Sequence, residues 1–160
     1  MSSEGVSSDV PGCLACDLAR GRAPLPGGVI AETDCWLVEH CVGPLGVGTL
    51  IVKPKRHITR VSEMNAAEAT EVGRLLHRSA AVIDDLIQPE QIYVCLWSHA
   101  GGRPVHIHYV VQPVTAGQMT EHGAHGPFLQ TAMFERGEQP SVPAVEAFAD
   151  RARRAFPRRA

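Results

Sequence analysis

The segment from Asn65 to Leu86 constrains the fold more than any other part of the chain. Val72, Leu75, Leu76, Val82, Ile83 and Leu86 fall at helical spacing, so the segment has one apolar side over its whole length. Asn65 followed three residues later by Glu68 is a capping-box start, and Pro89 stops the helix just beyond its end. A helix this long with a single apolar face must be laid on another layer.

The flanking segments supply that layer. GVIAET and CWLVEH sit on either side of Asp34 and read as the arms of an antiparallel hairpin. GTLIVKP, from Gly48 to Pro54, is apolar and β-branched enough for a buried strand, which puts His57 directly past a strand end. After Pro89, QIYVCLW reads as a strand, SHAGGRP as a Gly-rich turn, and VHIHYVVQ as the partner strand that ends before Pro113. The remainder is expected to hold a polar loop, a short helical stretch around Phe128 to Phe134, and a final helix from near Ser141 to near Phe156. In that final helix Val145, Phe148, Ala152 and Phe156 recur at helical spacing and are expected to pack. The expectation is an α+β fold, with a long helix and a C-terminal helix packed on a mainly antiparallel sheet. Residues 1–12, rich in Ser and Gly, read as a mobile leader. Residues 13–160 read as one domain, with a core of about 13–113 and a helical extension of about 114–160.

Composition narrows the function. A chain of 160 residues with 44% hydrophobic and 20% charged residues suits one globular domain with its own core and has no room for a second catalytic one. A net charge of -2 without a Lys/Arg stripe gives no reason to expect a nucleic acid as ligand, while a small anion remains open. No run approaches the roughly 20 apolar residues that span a bilayer, and the N-terminus does not read as a secretory signal. The expected address is the cytoplasm, with no membrane partner. Five cysteines in such a chain point to thiolate or metal chemistry rather than a disulfide framework.

Cys13 and Cys16, in CLAC, are two residues apart and can turn both sulfurs toward one cation. Alone, the pair also fits a redox dithiol or plain buried thiols. His57 and His106 complete a set of two sulfurs and two imidazoles, the donors zinc prefers in a closed tetrahedral shell. An ion held by four protein ligands has no open position for water, so its role would be structural.

His106 and His108 stand two apart in HIHYVVQP. Read as one strand, they share a face at roughly 7 Å between Cα atoms, one free to hold metal and the other to meet a ligand. A neutral imidazole whose first nitrogen donates to a carbonyl offers the second as a nucleophile toward phosphorus. Gly101, Gly102 and Arg103, with Ser98 and His99 before them, are the candidate phosphate site, through unhindered amides and a guanidinium. Taken singly, His-x-His also fits two solvent-facing imidazoles, and SHAGG an ordinary hairpin turn. The other histidines, His40, His77, His99, His122 and His125, read as surface or loop residues, with a supporting role only for His99.

The order CLAC, IVKPKRH, long helix, GG and HIHYVVQP, from about Cys13 to Pro113, resembles the histidine-triad superfamily in its zinc-containing branch. The resemblance implies an α+β fold, commonly a homodimer, that binds nucleotides and hydrolyses or transfers nucleoside monophosphates through a histidine-linked intermediate. It assigns the metal to Cys13, Cys16, His57 and His106, and the nucleophile to His108. The chain departs from the family pattern in several places. Val110 stands where the third histidine of the triad falls, as in a branch similar to galactose-1-phosphate uridylyltransferase that works with a His-x-His core. Arg103 and Pro104 replace the Gln and Ser/Thr that usually precede the motif, the Asn before the glycines is missing, and the acidic residue that often grips ribose falls near Cys41. The implied function is a hydrolase or nucleotidyltransferase acting on a nucleoside phosphate derivative. The alternative is a zinc-stabilised binding or regulatory module with little catalysis.

Overall fold

The computed structural model describes residues 9–157. Residues 1–8 of the expected leader lie outside the described residues, while Asp9 is already tied to the domain by an ion pair with Arg22 at 2.8 Å.

The chain runs α1 (Leu14–Ala19), β1 (Val29–Glu32), β2 (Trp36–His40), β3 (Leu50–Pro54), a 3-10 turn (Val61–Glu63), α2 (Ala66–Ile87) and β4 (Gln91–Cys95). It continues through β5 (His99–Ala100), β6 (Arg103–Pro104), β7 (Tyr109–Val114), α3 (Ala116–His122), α4 (Pro127–Arg136) and α5 (Val142–Ala155). Five strands form one sheet in the order β1-β2-β3-β7-β4, every pairing antiparallel, and β5 with β6 make a separate small hairpin.

α2 forms where the periodicity predicts. The Asn65 side chain accepts from the Glu68 amide at 2.9 Å, Glu68 returns a bond from the Asn65 amide at 2.8 Å, and the helix closes at Gln88 in the left-handed region. Its apolar stripe lies on one face of the sheet. Leu75, Val82 and Ile83 meet Trp36, Val38, Leu50, Val52 and Val111, and α5 closes the same layer with Phe148, Ala149 and Ala152. The C-terminal helix is thus part of the main core. Burying each of these large apolar side chains contributes about 1.5–3 kcal/mol.

Strand alternation sends the intervening residues to the opposite face. There Val110 and Val114 pack with Cys41, Leu45, Leu129 and Met133 in a second, smaller core, so α4 covers only part of that face. Glu39, Ile51 and Lys53 share the uncovered part and line a cleft that opens over it.

Three expectations need correction. Residues 116–122 form a helix rather than a polar loop, because Thr115 caps it and Gln118 returns the bond to the Thr115 amide at 2.9 Å. The last strand starts at Tyr109 and reaches Val114, so His106 and His108 precede it and Pro113 lies within it. Pro113 is tolerated there because β3 pairs only with Tyr109 to Val111, and no ladder bond to β3 is lost at Pro113. His40 is a core residue, only 1% exposed: Nδ1 donates to the Cys41 carbonyl at 2.8 Å and Nε2 accepts from the Gly48 amide at 2.9 Å. Gly48 has a φ of +95°, and a β-carbon there would collide with Ile87.

Candidate metal centre and adjoining cleft

Four side chains from three distant stretches of chain converge at one corner. Cys13 is the N-cap of α1, and one helical turn brings Cys16 to the same side. β3 ends at Pro54 and delivers His57 three residues on, where Arg56 is clamped by Glu68 through bonds of 2.9 and 2.8 Å. His106 enters from the segment leading into β7. One donor atom from each of Cys13, Cys16, His57 and His106 lies within 4.8 Å of the others. Cys16 Sγ is 3.5 Å from Nδ1 of both His57 and His106.

The two 3.5 Å distances match the edge of a tetrahedral site. With Zn–S near 2.3 Å and Zn–N near 2.05 Å, the sulfur-to-nitrogen edge of the tetrahedron is about 3.5 Å. The imidazole of His106 is already oriented: a carbonyl can only accept, so Nε2 donates to the Pro54 carbonyl at 2.8 Å and Nδ1 keeps its lone pair for the cation. Burial holds His106 neutral, down to about 4, the form a ligand needs. Burial likewise pushes the Cys16 thiol up to about 11, a preference that a divalent cation reverses by supplying the missing positive charge. The residues present therefore fit a zinc-type ion in number, donor chemistry and spacing.

Beside this corner opens a cleft of about 650 Å³ whose walls include Cys41, His57, His106 and His108. His108 is half-buried, and its Nδ1 donates to the His106 carbonyl at 3.1 Å. That bond leaves Nε2 without a proton in the neutral ring. Ser98 is buried; its Oγ accepts from the His108 amide at 3.0 Å and lies 3.5 Å from Nδ1. The two histidines thus share the cleft wall although no strand sets their alternation. Instead the Ile107 amide donates to the Ile58 carbonyl at 2.9 Å and turns Ile107 into the core.

The candidate phosphate residues divide. Ser98 braces His108, and His99, though exposed, lines the cleft. Gly101 and Gly102 are the two turn residues of the β5–β6 hairpin, with φ of +57° and +73°, the twist a two-residue hairpin requires of glycine. Ala100 and Pro104, in the stem, line the cleft, whereas Gly101, Gly102 and Arg103 stand outside it and exposed.

Sequence reasoning missed the polar floor. Lys53 donates to Glu39 Oε1 at 2.6 Å and to the Ala15 carbonyl at 2.9 Å, both side chains are essentially buried, and both line the cleft. Burial raises the Glu39 carboxyl against the pull of the Lys53 ammonium. The available signal was a pair of charges at Glu39 and Lys53 inside otherwise apolar strand segments, WLVEH and LIVKP.

No protein-family profile matches the sequence. Solved structures do match the fold. A Hit-like protein from Bartonella henselae, described as involved in cell-cycle regulation and solved with an unknown ligand, has a TM-score of 0.68 at 17% identity, covering 90% of this chain and 96% of that one. A hypothetical histidine-triad nucleotide-binding protein from Sulfolobus tokodaii has a TM-score of 0.68 at 15% identity, covering 90% and 91%. A Zn-bound histidine-triad family protein from Mycobacterium smegmatis has a TM-score of 0.65 at 17% identity, covering 91% and 93%. The chain therefore has the α+β fold of histidine-triad proteins, the resemblance carried by its motifs. The matches over nine-tenths of the chain extend well past the first 113 residues, so much of the helical C-terminal part belongs to the shared fold.

Proposed function

We propose that the protein binds a nucleotide in the cleft beside His108 and hydrolyses or transfers its nucleoside monophosphate through a covalent nucleotidyl-histidine. One observation carries this reading: Nδ1 of His108 is committed to the His106 carbonyl, which leaves Nε2 as the basic nitrogen of a residue in the cleft wall. In the proposed reaction the Nε2 lone pair forms a bond to the α-phosphorus, and the bond to the leaving group breaks with its electron pair departing on the leaving oxygen or nitrogen. Water, or a second acceptor, then attacks phosphorus as the Nε2–P bond breaks with its electron pair returning to Nε2, and the acceptor's proton passes to bulk solvent, which restores the neutral ring of His108. Ser98 holds the His108 backbone in register, His99 meets the phosphate from the cleft wall, and Gly101, Gly102 and Arg103 act from the rim.

Cys13, Cys16, His57 and His106 would hold zinc as a closed structural ion, whose contribution is to fix the corner from which His108 is displayed. The Zn-bound neighbour supports that choice of metal, and the nucleotide-binding neighbour supports the ligand class. A homodimer in the cytoplasm completes the reading. Among the described residues no helix is long and apolar enough to cross a membrane.

A second reading, a zinc-stabilised nucleotide-binding or regulatory module with little catalysis, draws on Val110. It stands at the third triad position, where its isopropyl group has no proton to exchange, and it is buried in apolar packing. Intact-mass analysis after incubation with nucleoside phosphoramidates and dinucleoside polyphosphates separates the two. A wild-type adduct of one nucleoside monophosphoryl group, absent from His108→Asn, is the expected result. Nucleotide binding by calorimetry with neither adduct nor turnover across the panel would leave only the binding module.

A further inference from the structure

The buried ion pair at the cleft floor is an odd element for a stable fold. Taking a lysine and a glutamate out of water costs more than packing apolar residues of similar volume. The pair is also incompletely satisfied, since Glu39 Oε2 is buried with no hydrogen-bond partner among the described residues. Apolar replacement of both charges would dispense with the bond between them, but it would also lose a bond that reaches outside the pair, from Lys53 to the carbonyl of Ala15. Ala15 lies between Cys13 and Cys16.

The Cys-x-x-Cys segment needs an external restraint. α1 has six residues, too few to be stable alone, and its N-cap makes no side-chain capping bond. β3 can provide the restraint because it is held on both sides, by β2 and by β7. Three supports of the metal corner leave the end of this one strand: Lys53 to Ala15, the Pro54 carbonyl to His106, and His57 itself three residues on. Glu39 sits on β2, where Leu37 opposes Lys53 and Ile51 opposes Glu39, so the two charges are diagonal neighbours on the cleft face.

We propose that Lys53 is a positioning residue of the metal centre. Its ammonium pins the Cys13-to-Cys16 turn against β3 in ligating geometry, and Glu39 is the counter-ion that holds the ammonium there. This rests on the reading of the four-residue cluster as a zinc site and is independent of any nucleotide chemistry. The role is one of supporting ligands from outside the shell, where loss of a partner typically lowers metal affinity 10- to 100-fold.

The test uses the full-length zinc-loaded protein and follows zinc release to a chromophoric chelator in wild type, Lys53→Met and the double variant Lys53→Met with Glu39→Leu. The double variant removes both charges, so it should keep a cooperative thermal transition while releasing zinc about 10 to 100 times faster than wild type. The cobalt-substituted double variant should keep the visible bands of a tetrahedral two-sulfur, two-nitrogen site, since the ligands themselves are untouched. A folded double variant that releases zinc at the wild-type rate would overturn the proposal while leaving the zinc reading intact. Failure of both variants to fold would also overturn it, by making the pair a stability element. A wild-type chain that takes up no zinc would remove the zinc reading and this inference together.

Discussion

The corner where Cys13, Cys16, His57 and His106 converge and the β5–β6 hairpin flank the same cleft and are built in opposite ways. At the corner, Cys16 and His106 are nearly sealed from solvent, at 4% and 2% exposure, and each support has a further tie: Nε2 of His106 to the Pro54 carbonyl, Arg56 to Glu68, Lys53 to Ala15. The hairpin has two residues per strand, its ladder is Ala100 with Arg103 and His99 with Pro104, and all six residues from His99 to Pro104 are exposed. His108 stands between them, with its backbone fixed by Ser98 and its ring in the cleft wall. The contrast separates two physical tasks. Fixed geometry requires donors whose every alternative partner is already taken, whereas meeting a ligand requires groups whose hydrogen bonds are still to be made.

The largest expected effect falls on the closed side. Cys16→Ser should lower bound zinc well below one per chain and lower the melting temperature by roughly 10 °C or more, as follows from losing several kcal/mol in a domain of this size. Elemental analysis beside a thermal melt reads both. An unchanged melt with full zinc would mean that the corner is no more rigid than the hairpin.

Next comes the clamp behind His57. Glu68→Ala removes the capping box of α2 and the partner of Arg56, and should cost about 2 kcal/mol, or roughly 4–8 °C in melting temperature. The clamp also sets a pH dependence. The bonds from Arg56 hold the Glu68 carboxyl below the usual carboxylate range, so its stabilisation is fully present above that range and is lost as pH falls through the depressed folded value. Denaturant titrations from pH 7 to pH 3 should therefore show wild type and Glu68→Ala converging in acid. Parallel curves would remove Arg56 and Glu68 from the account of the closed side.

The smallest effect tests the open side. Arg103→Ala should shift stability by less than about 0.5 kcal/mol, because the side chain is exposed on a hairpin tip. If the hairpin closes over bound phosphate, nucleotide affinity should still weaken by about tenfold, the size of one charge-assisted hydrogen bond. Equal dissociation constants by calorimetry would detach the hairpin tip from the site.

Much of the closed corner was legible in the sequence, because the four side chains that converge there are chemically distinctive residue types in recognisable local frames: CLAC, PKRH, HIH. Its supports were not. Nothing local marks Lys53 as the donor to Ala15, since that contact spans 38 residues and depends on which face of β3 the lysine occupies. His40 was misread for a related reason: a histidine at a strand end looks solvent-facing until Gly48 returns beside it and Phe148 packs against its ring. α3 differs, since its start has a local mark: Thr115 and Gln118 stand at capping-box spacing.

By itself the sequence determined the α2 stripe and its caps, the alternation of the central strands, and the residue types able to hold a soft divalent ion. These follow from interactions within a few residues, where backbone geometry alone fixes which side chains meet. Tertiary structure decided the rest: that residues 13, 57 and 106 share one point, that His108 gives its Nδ1 to a carbonyl, and that two buried charges lie beneath the cleft. Such outcomes depend on the order of strands in the sheet and on which face each presents, and only the closing of the whole core sets either one.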